Sequence, residues 1–212
     1  MCTSDNCTAF KYNICQAGCG KHRIMSNPRI ISGSARGIRL DPVPGDSTRP
    51  ITDRVKEALF NILSTDIIDA TFLDLFGGTG SVGIEALSRG ARSCLFLELN
   101  PKAILTLKSN LQKTRTLDKA RVLHTDALKY ISLPSQDRFD YVFIAPPQYK
   151  DIWSEALQRV DTNTTLLSDD AWVIVQIHPI EYKALELDSL VEFDQRKYGS
   201  TLLIFYEKRS GL

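Results

Sequence analysis

Residues 74–83 read Asp-Leu-Phe-Gly-Gly-Thr-Gly-Ser-Val-Gly, and Gly78, Gly80 and Gly83 set a G-x-G-x-x-G spacing. Glycine permits a tight turn and close approach of backbone to a ligand, so the segment suits a nucleotide-like molecule. Taken alone, the spacing would serve a dinucleotide equally well. Two carboxylates narrow the choice. Glu98 ends an apolar run 18 residues beyond Gly80, where a carboxylate can accept hydrogen bonds from both hydroxyls of a ribose. Asp126 ends the next such run, in His124-Thr125-Asp126-Ala127, and is suited to meet an adenine amino group. One acidic residue at a strand end is often only a solvated cap. Two of them at successive strand ends, after a Gly-rich turn, point to an adenosine-bearing cofactor. A later run ends in Ala145-Pro146-Pro147-Gln148-Tyr149, whose consecutive prolines imply a rigid turn.

These groups meet only if strands deliver them to one edge. The runs TFLDLF, SVGIEALSRG, SCLFLEL, PKAILTLKSNLQKT, ARVLHT, a short helix near Ala127, and FDYVFIA alternate strand-like and helix-like patterns. That alternation marks βαβ units, hence a parallel sheet with helices on both faces, because each crossover must bury a face. Ligands on such sheets bind beyond the carboxyl ends of the strands. A helix after Tyr149, the apolar run AWVIVQI, and the runs LVEFDQRKY and TLLIFYEK, joined by a turn at Gly199-Ser200, complete a mostly parallel seven-stranded sheet. Ahead of it, Pro28 to Pro50 reads as a small hairpin or extended arm. Thr52 and Asp53 then precede VKEALFNIL, where Val55, Leu59, Ile62 and Leu63 recur at helical spacing. The division expected is a leader over 1–27, a basic arm and helix over 28–63, and the main α/β domain over 64–212.

Composition supports a soluble globular chain, with 43% hydrophobic and 24% charged residues among 212. No apolar run approaches the roughly 20 residues needed to span a bilayer, and no secretory pattern opens the chain, so a cytoplasmic location without membrane partners is expected. A monomer is favoured. Net charge is only +1, yet residues 1–62 carry +4 and residues 63–212 carry −3, placing the basic part ahead of the cofactor segments. That asymmetry fits an N-terminal segment that meets a polyanion, and equally a solvated basic surface. Cys2, Cys7, Cys15 and Cys19, close to His22, invite a zinc reading, but none of them forms a Cys-x-x-Cys pair and the segment has no hydrophobic periodicity to fold around a metal, so a leader without metal is expected. Cys94 reads as a small core residue.

The unbroken Asp74–Leu87 segment, DLFGGTGSVGIEAL, resembles motif I of class I methyltransferases. Three further segments sharpen the resemblance: Arg29-Ile30-Ile31-Ser32-Gly33 with Arg36-Gly37, the run from Arg49 and Pro50 through Thr52, Asp53 and Arg54 to Asn61, and Tyr198-Gly199-Ser200-Thr201. Together, over residues 29–207, the chain resembles the RsmD-type family that methylates guanine in small-subunit ribosomal RNA. The resemblance implies a Rossmann-like class I fold and S-adenosyl-L-methionine as cofactor, held by Asp74, Phe76, Gly77, Gly78, Gly80, Glu98, Leu99, Asp126, Ala127 and Ala145. It implies transfer to the exocyclic N2 of guanine, with Pro146, Pro147, Gln148 and Tyr149 presenting the base. The partner implied is ribosomal RNA or the small ribosomal subunit, met by Arg36, Arg49, Thr52, Asp53 and Arg54.

The departure is at residue 145. Methyltransferases acting on exocyclic amines carry [DN]-P-P-[FYW] there, whose Asp or Asn accepts a hydrogen bond from the amine while the aromatic ring stacks on the base. Ala145-Pro146-Pro147-Gln148 lacks both groups. Such a hydrogen bond is worth about 1.5–3 kcal/mol, so its loss slows an enzyme without abolishing it. Gln148 or Tyr149 is available to repair the site. A catalytically weakened RNA-binding assembly protein, or a methyltransferase for another base, remains an alternative at this stage. A nicotinamide dehydrogenase fits less well, lacking a second catalytic domain.

Overall fold

The computed structural model describes residues 27–45, 51–148 and 150–209. Seven strands form one sheet in the order β3-β2-β1-β4-β5-β7-β6. They are β1 (Thr71–Asp74), β2 (Ser93–Glu98), β3 (Ala120–His124), β4 (Phe139–Ile144), β5 (Leu167–Ile177), β6 (Leu190–Tyr198) and β7 (Thr201–Lys208). The first five pair in parallel, and β7 runs antiparallel to both β5 and β6. Central strands such as β4 are buried along nearly their whole length, as two covered faces require. The edge strand β6 is instead largely open and carries Glu192, Asp194, Arg196 and Lys197, charges that blunt edge-to-edge pairing.

Among the described residues five α-helices sort by face: α1 (Asp53–Leu63), α2 (Ser81–Ser88), α3 (Pro101–Lys113), α4 (Ala127–Ile131) and α5 (Ile152–Thr162). Val55 and Leu59 of α1, Ile84 of α2 and Leu107 of α3 share a core with Phe72, Phe96 and Phe143 on one face. Ile131 of α4 and Trp153 and Leu157 of α5 pack with Leu73, Val142 and Val173 on the other. The expected α/β sheet with helices on both faces is what the chain forms. Gly83 makes α2 fit: a Cβ there would lie 2.3 Å from the Phe96 ring and 2.7 Å from the buried Cys94 Sγ. Among the described residues, no helix is long and apolar enough to cross a membrane. Apart from Asn27, the leader lies outside the described residues, with its four cysteines.

The arm forms a short antiparallel bridge between Arg29 and Arg39, and Ile30 and Leu40 enter the first core. Its attachment is electrostatic at the centre. Glu85 of α2 and Lys56 of α1 are both fully buried, with Nζ and Oε2 3.5 Å apart. Glu85 also accepts hydrogen bonds from the backbone N–H groups of Ile31 (2.7 Å) and Ser32 (3.0 Å) and from Arg89 Nε (2.8 Å). Lys56 Nζ donates to the Arg29 carbonyl at 2.6 Å and to Ser81 Oγ at 3.0 Å. Burial pulls the Lys56 ammonium below its ordinary pKa, and Glu85 and Asp53 oppose that shift. A second clamp is Asn110 of α3, which exchanges hydrogen bonds with the Asp41 backbone and donates to the Thr79 carbonyl at 2.9 Å. Between the clamps, Gly33 holds φ +82°, and a Cβ there would fall 1.8 Å from the Ser88 carbonyl oxygen.

Removing one member of a fully buried ion pair strands the other. Glu85→Leu is therefore expected to cost about 3–5 kcal/mol in urea unfolding. In hydrogen exchange, the Ile31 and Ser32 amides should lose protection more than those of α5, since their acceptor has gone.

Candidate cofactor and substrate site

The turn after β1 is built from backbone constraints. Leu75 N–H donates to the Phe143 carbonyl of β4 (3.0 Å) and Gly77 N–H to the Leu97 carbonyl of β2 (2.9 Å), which fixes the chain over the strand ends. Gly77 and Gly80 close a tight turn at 2.7 Å, and both Gly78 (φ +51°) and Gly80 (φ +79°) have left-handed backbone. At Gly80 a Cβ would also meet Leu107 at 2.3 Å. α2 begins at Ser81, so its first N–H groups point out beyond the sheet edge.

Glu98, at the end of β2, lies against this turn. Its Oε2 accepts from Gly78 N–H at 2.8 Å, and its Oε1 accepts from the N–H groups of Leu99 (2.9 Å) and Asn100 (2.8 Å). A carboxylate has about four acceptor positions, so Glu98 is held rigidly and keeps capacity for a further donor. Leu99 is 59% exposed, an apolar surface beside it, while its carbonyl meets His124 Nε2 at 3.0 Å. Asp126, at the next strand end, caps α4 by accepting from Lys129 N–H through Oδ1 at 3.0 Å. Its Oδ2 faces no protein donor among the described residues. Ala127 is buried behind it.

Asp74 differs from these two. It is buried beneath the turn, and burial raises its carboxyl to about 7 from an ordinary 3.8, with the Phe76 and Gly83 N–H groups pulling it down and Glu98 pushing it up. Phe76 is half-buried against the α5-side core.

At the end of β4, Ala145 packs against the arm-side core, Pro146 is half-buried, and Pro147 and Gln148 are exposed. Tyr149 lies outside the described residues, as does Arg49. The β6–β7 turn at Gly199-Ser200 sits at this same edge, because Leu202 pairs with Ile177, the last residue of β5.

Of the candidate RNA contacts, Thr52 is the N-cap of α1, accepting from Val55 N–H at 3.4 Å. Asp53 is the first helical residue and pairs with Arg29 at 2.6 Å. Arg54 is exposed. These residues stand near the cofactor turn, since Lys56, one helical turn from Thr52, reaches Ser81 directly after Gly80. Arg36 is not brought there: Ser34 and Ala35 are bonded to Ser88, at the opposite end of α2. Eight residues of helix put Arg36 roughly 12 Å along the fold from Gly80. Sequence reasoning also missed Gln176, near the end of β5, whose buried Oε1 has no hydrogen-bond partner among the described residues. Its signal was a lone amide in the apolar run AWVIVQI.

A glycine turn after β1, carboxylates ending β2 and β3, and a diproline turn after β4, on a sheet whose last strand is antiparallel, define the class I S-adenosylmethionine-dependent methyltransferase fold. Residues 28–207 match the family model described as conserved hypothetical protein 95, and the chain belongs to that family. It is 38% identical to YlbH of Bacillus subtilis over 85% of this chain and 99% of that one. It is 39% identical to the ribosomal RNA small subunit methyltransferase D of Haemophilus influenzae over 65% of this chain and 72% of the relative. The solved structure of Escherichia coli yhhF superposes with a TM-score of 0.76 at 31% identity, covering 86% of this chain and 98% of that one.

The raised pKa of Asp74 has a sign. Between about 4 and about 7 the folded protein holds a proton that the unfolded chain has released, so stability falls as pH rises through that window and levels off above it. Asp74→Asn carries no such proton. The melting temperature of the native protein relative to Asp74→Asn is expected to decline across that range, and a constant difference would mean that Asp74 stays ionised.

Proposed function

We propose that the chain transfers a methyl group from S-adenosyl-L-methionine to the exocyclic N2 of a guanine in small-subunit ribosomal RNA. The observation that carries this reading is convergence at one sheet edge: the Gly77–Gly80 turn, Glu98 and the Pro146-Pro147 turn lie on adjacent strand ends, β2, β1 and β4. The family membership and the methyltransferase names of the relatives support the same reading.

The residues fit that cofactor. Glu98, anchored by three backbone N–H groups, has acceptor capacity left for a ribose hydroxyl. Asp126 Oδ2 is available to an adenine amino group, and exposed Leu99 offers the apolar face on which adenine rests. Gly78 and Gly80 leave the turn without side chains where the methionine portion lies, and Asp74 sits below it. When bound, the cofactor supplies an activated methyl on a sulfonium, so no nucleophilic side chain is needed and positioning is the protein's contribution. Pro146, Pro147 and Gln148 hold the base at the turn, and Tyr149 supplies a ring to stack on it. A guanine inside a helix is out of reach of such a turn, so the target nucleotide leaves its stack to react. Arg54 contacts phosphates beside the turn, Arg49 is a further phosphate contact, and Arg36 contacts RNA farther along the same side.

One observation favours a second reading. Ala145 lacks the acceptor that amine methyltransferases carry at this position, as a catalytically weakened RNA-binding assembly protein would. Transfer of labelled methyl to unmodified small ribosomal subunits, followed by nucleoside identification, separates the two. N2-methylguanosine from the native protein is the expected product. RNA binding without transfer, restored by Ala145→Asn, would establish the second reading instead.

A further inference from the structure

Resting on that methyltransferase reading, we infer that Gln176 of β5 supplies the hydrogen-bond acceptor missing at Ala145, its amide oxygen receiving the amino group of the target base. The placement follows from register. In the parallel β4–β5 pair, Val142 lies beside Val173, Phe143 beside Ile174 and Ile144 beside Val175. One step further brings Ala145 beside Gln176. Adjacent strands are about 4.8 Å apart, and laterally paired residues point to the same face. Phe143, Ile174 and Ala145 all pack in the arm-side core, and Leu203, the β7 partner of Gln176, does too. Gln176 therefore shares the face of residue 145 at the same sheet edge, one strand over.

The chemistry of Gln176 asks for a ligand. A buried side-chain oxygen without a partner costs about as much as a lost hydrogen bond, and native proteins retain few of them. On the face it shares, Ile174 of β5 and Leu203 of β7 are buried and apolar and offer the amide oxygen no donor side chain. An amide oxygen can only accept, and what a guanine or adenine presents to such a site is an N–H. In the transfer, the amine lone pair forms the new N–C bond and the electrons of the C–S bond return to sulfur. The surplus proton, held against Oε1, then passes to water. As positive charge builds on nitrogen the hydrogen bond strengthens, which is the differential contribution that lowers a barrier.

The test uses the full chain with unmodified small ribosomal subunits, measuring kcat, KM for RNA, cofactor affinity and melting temperature for native protein, Gln176→Leu, and Gln176→Leu with Ala145→Asn. Gln176→Leu is expected to lower kcat by about 10- to 100-fold, with KM and cofactor affinity nearly unchanged and the melting temperature held or raised, because an unpartnered amide has been removed. Adding Ala145→Asn should restore most of the rate, since it returns the acceptor to the neighbouring strand. A purely structural role would move stability and rate down together and would not be rescued at residue 145. Unchanged kcat in Gln176→Leu, with native protein active, overturns this inference alone. An inactive native protein overturns both it and the methyltransferase reading.

Discussion

The buried Lys56–Glu85 pair is the contact on which the site's geometry depends. Taking both charges out of water is costly, and their mutual attraction repays it only when the remaining donors and acceptors are filled. Here they are: Glu85 receives two backbone N–H groups and Arg89, and Lys56 gives to the Arg29 carbonyl and Ser81. The consequence is specificity of docking. Ile30, Ala35 and Leu40 bury the arm, but apolar burial is not directional, whereas a carboxylate accepting from Ile31 and Ser32 fixes it to one register. Because Lys56 also donates to Ser81, it ties the arm, α1 and the start of α2 together directly beside the glycine turn. Asn110 repeats the device, joining Asp41 of the arm to Thr79 of the turn.

Rigidity at that turn matters because the chemistry proposed relies on placement. Gly77 and Leu75 are tethered to β2 and β4, and Glu98 is tied back to Gly78, so the turn is preorganised across three strand ends. Two of these tethers are backbone–backbone hydrogen bonds and the third holds the Glu98 side chain already in place, so little conformational entropy is left to lose when a ligand arrives. Asp74 is the exception, a carboxyl poised near neutrality under the turn. A ligand bearing positive charge above it favours its ionised form, which couples the protonation of the buried group to the charge of what is bound.

The βαβ order, the glycine turn and the two strand-end carboxylates were legible because each is a local signal: period, turn chemistry, or an acid after an apolar run. The charged pair was not. In VKEALFNIL, Lys56 follows core residue Val55, and in SVGIEAL, Glu85 follows core residue Ile84; each looks like a solvated position until the other arrives from 29 residues away. Periodicity reports the apolar stripe of a helix and says nothing of charges buried at its margin. Arg36 shows the same limit: nothing in its local sequence reveals that Ser34 and Ala35 bond to Ser88, which sets Arg36 at the far end of α2. Asp53 pairs with Arg29 and leaves the cap to Thr52, a division of labour that the two adjacent residues do not reveal in the sequence.

The departure at Ala145 is a problem of position more than of residue type. A parallel sheet sets the ends of neighbouring strands side by side at fixed spacing, so a functional atom near one strand end lies within a side chain's length of the next. An acceptor lost from β4 can thus be regained from β5 without any change in fold, provided the donor strand points the right face at the same edge. The register between Ile144 and Val175 meets that condition for residue 176, and the other residues near that end of β5 fail it: Val175 and Ile177 face the opposite core. Sequence motifs read along one strand miss such a substitution because the compensating residue is 31 positions away in the chain. It is adjacent only after the sheet has formed, which is why the apparent defect in APPQ and the stray amide in AWVIVQI make sense as a pair and not separately.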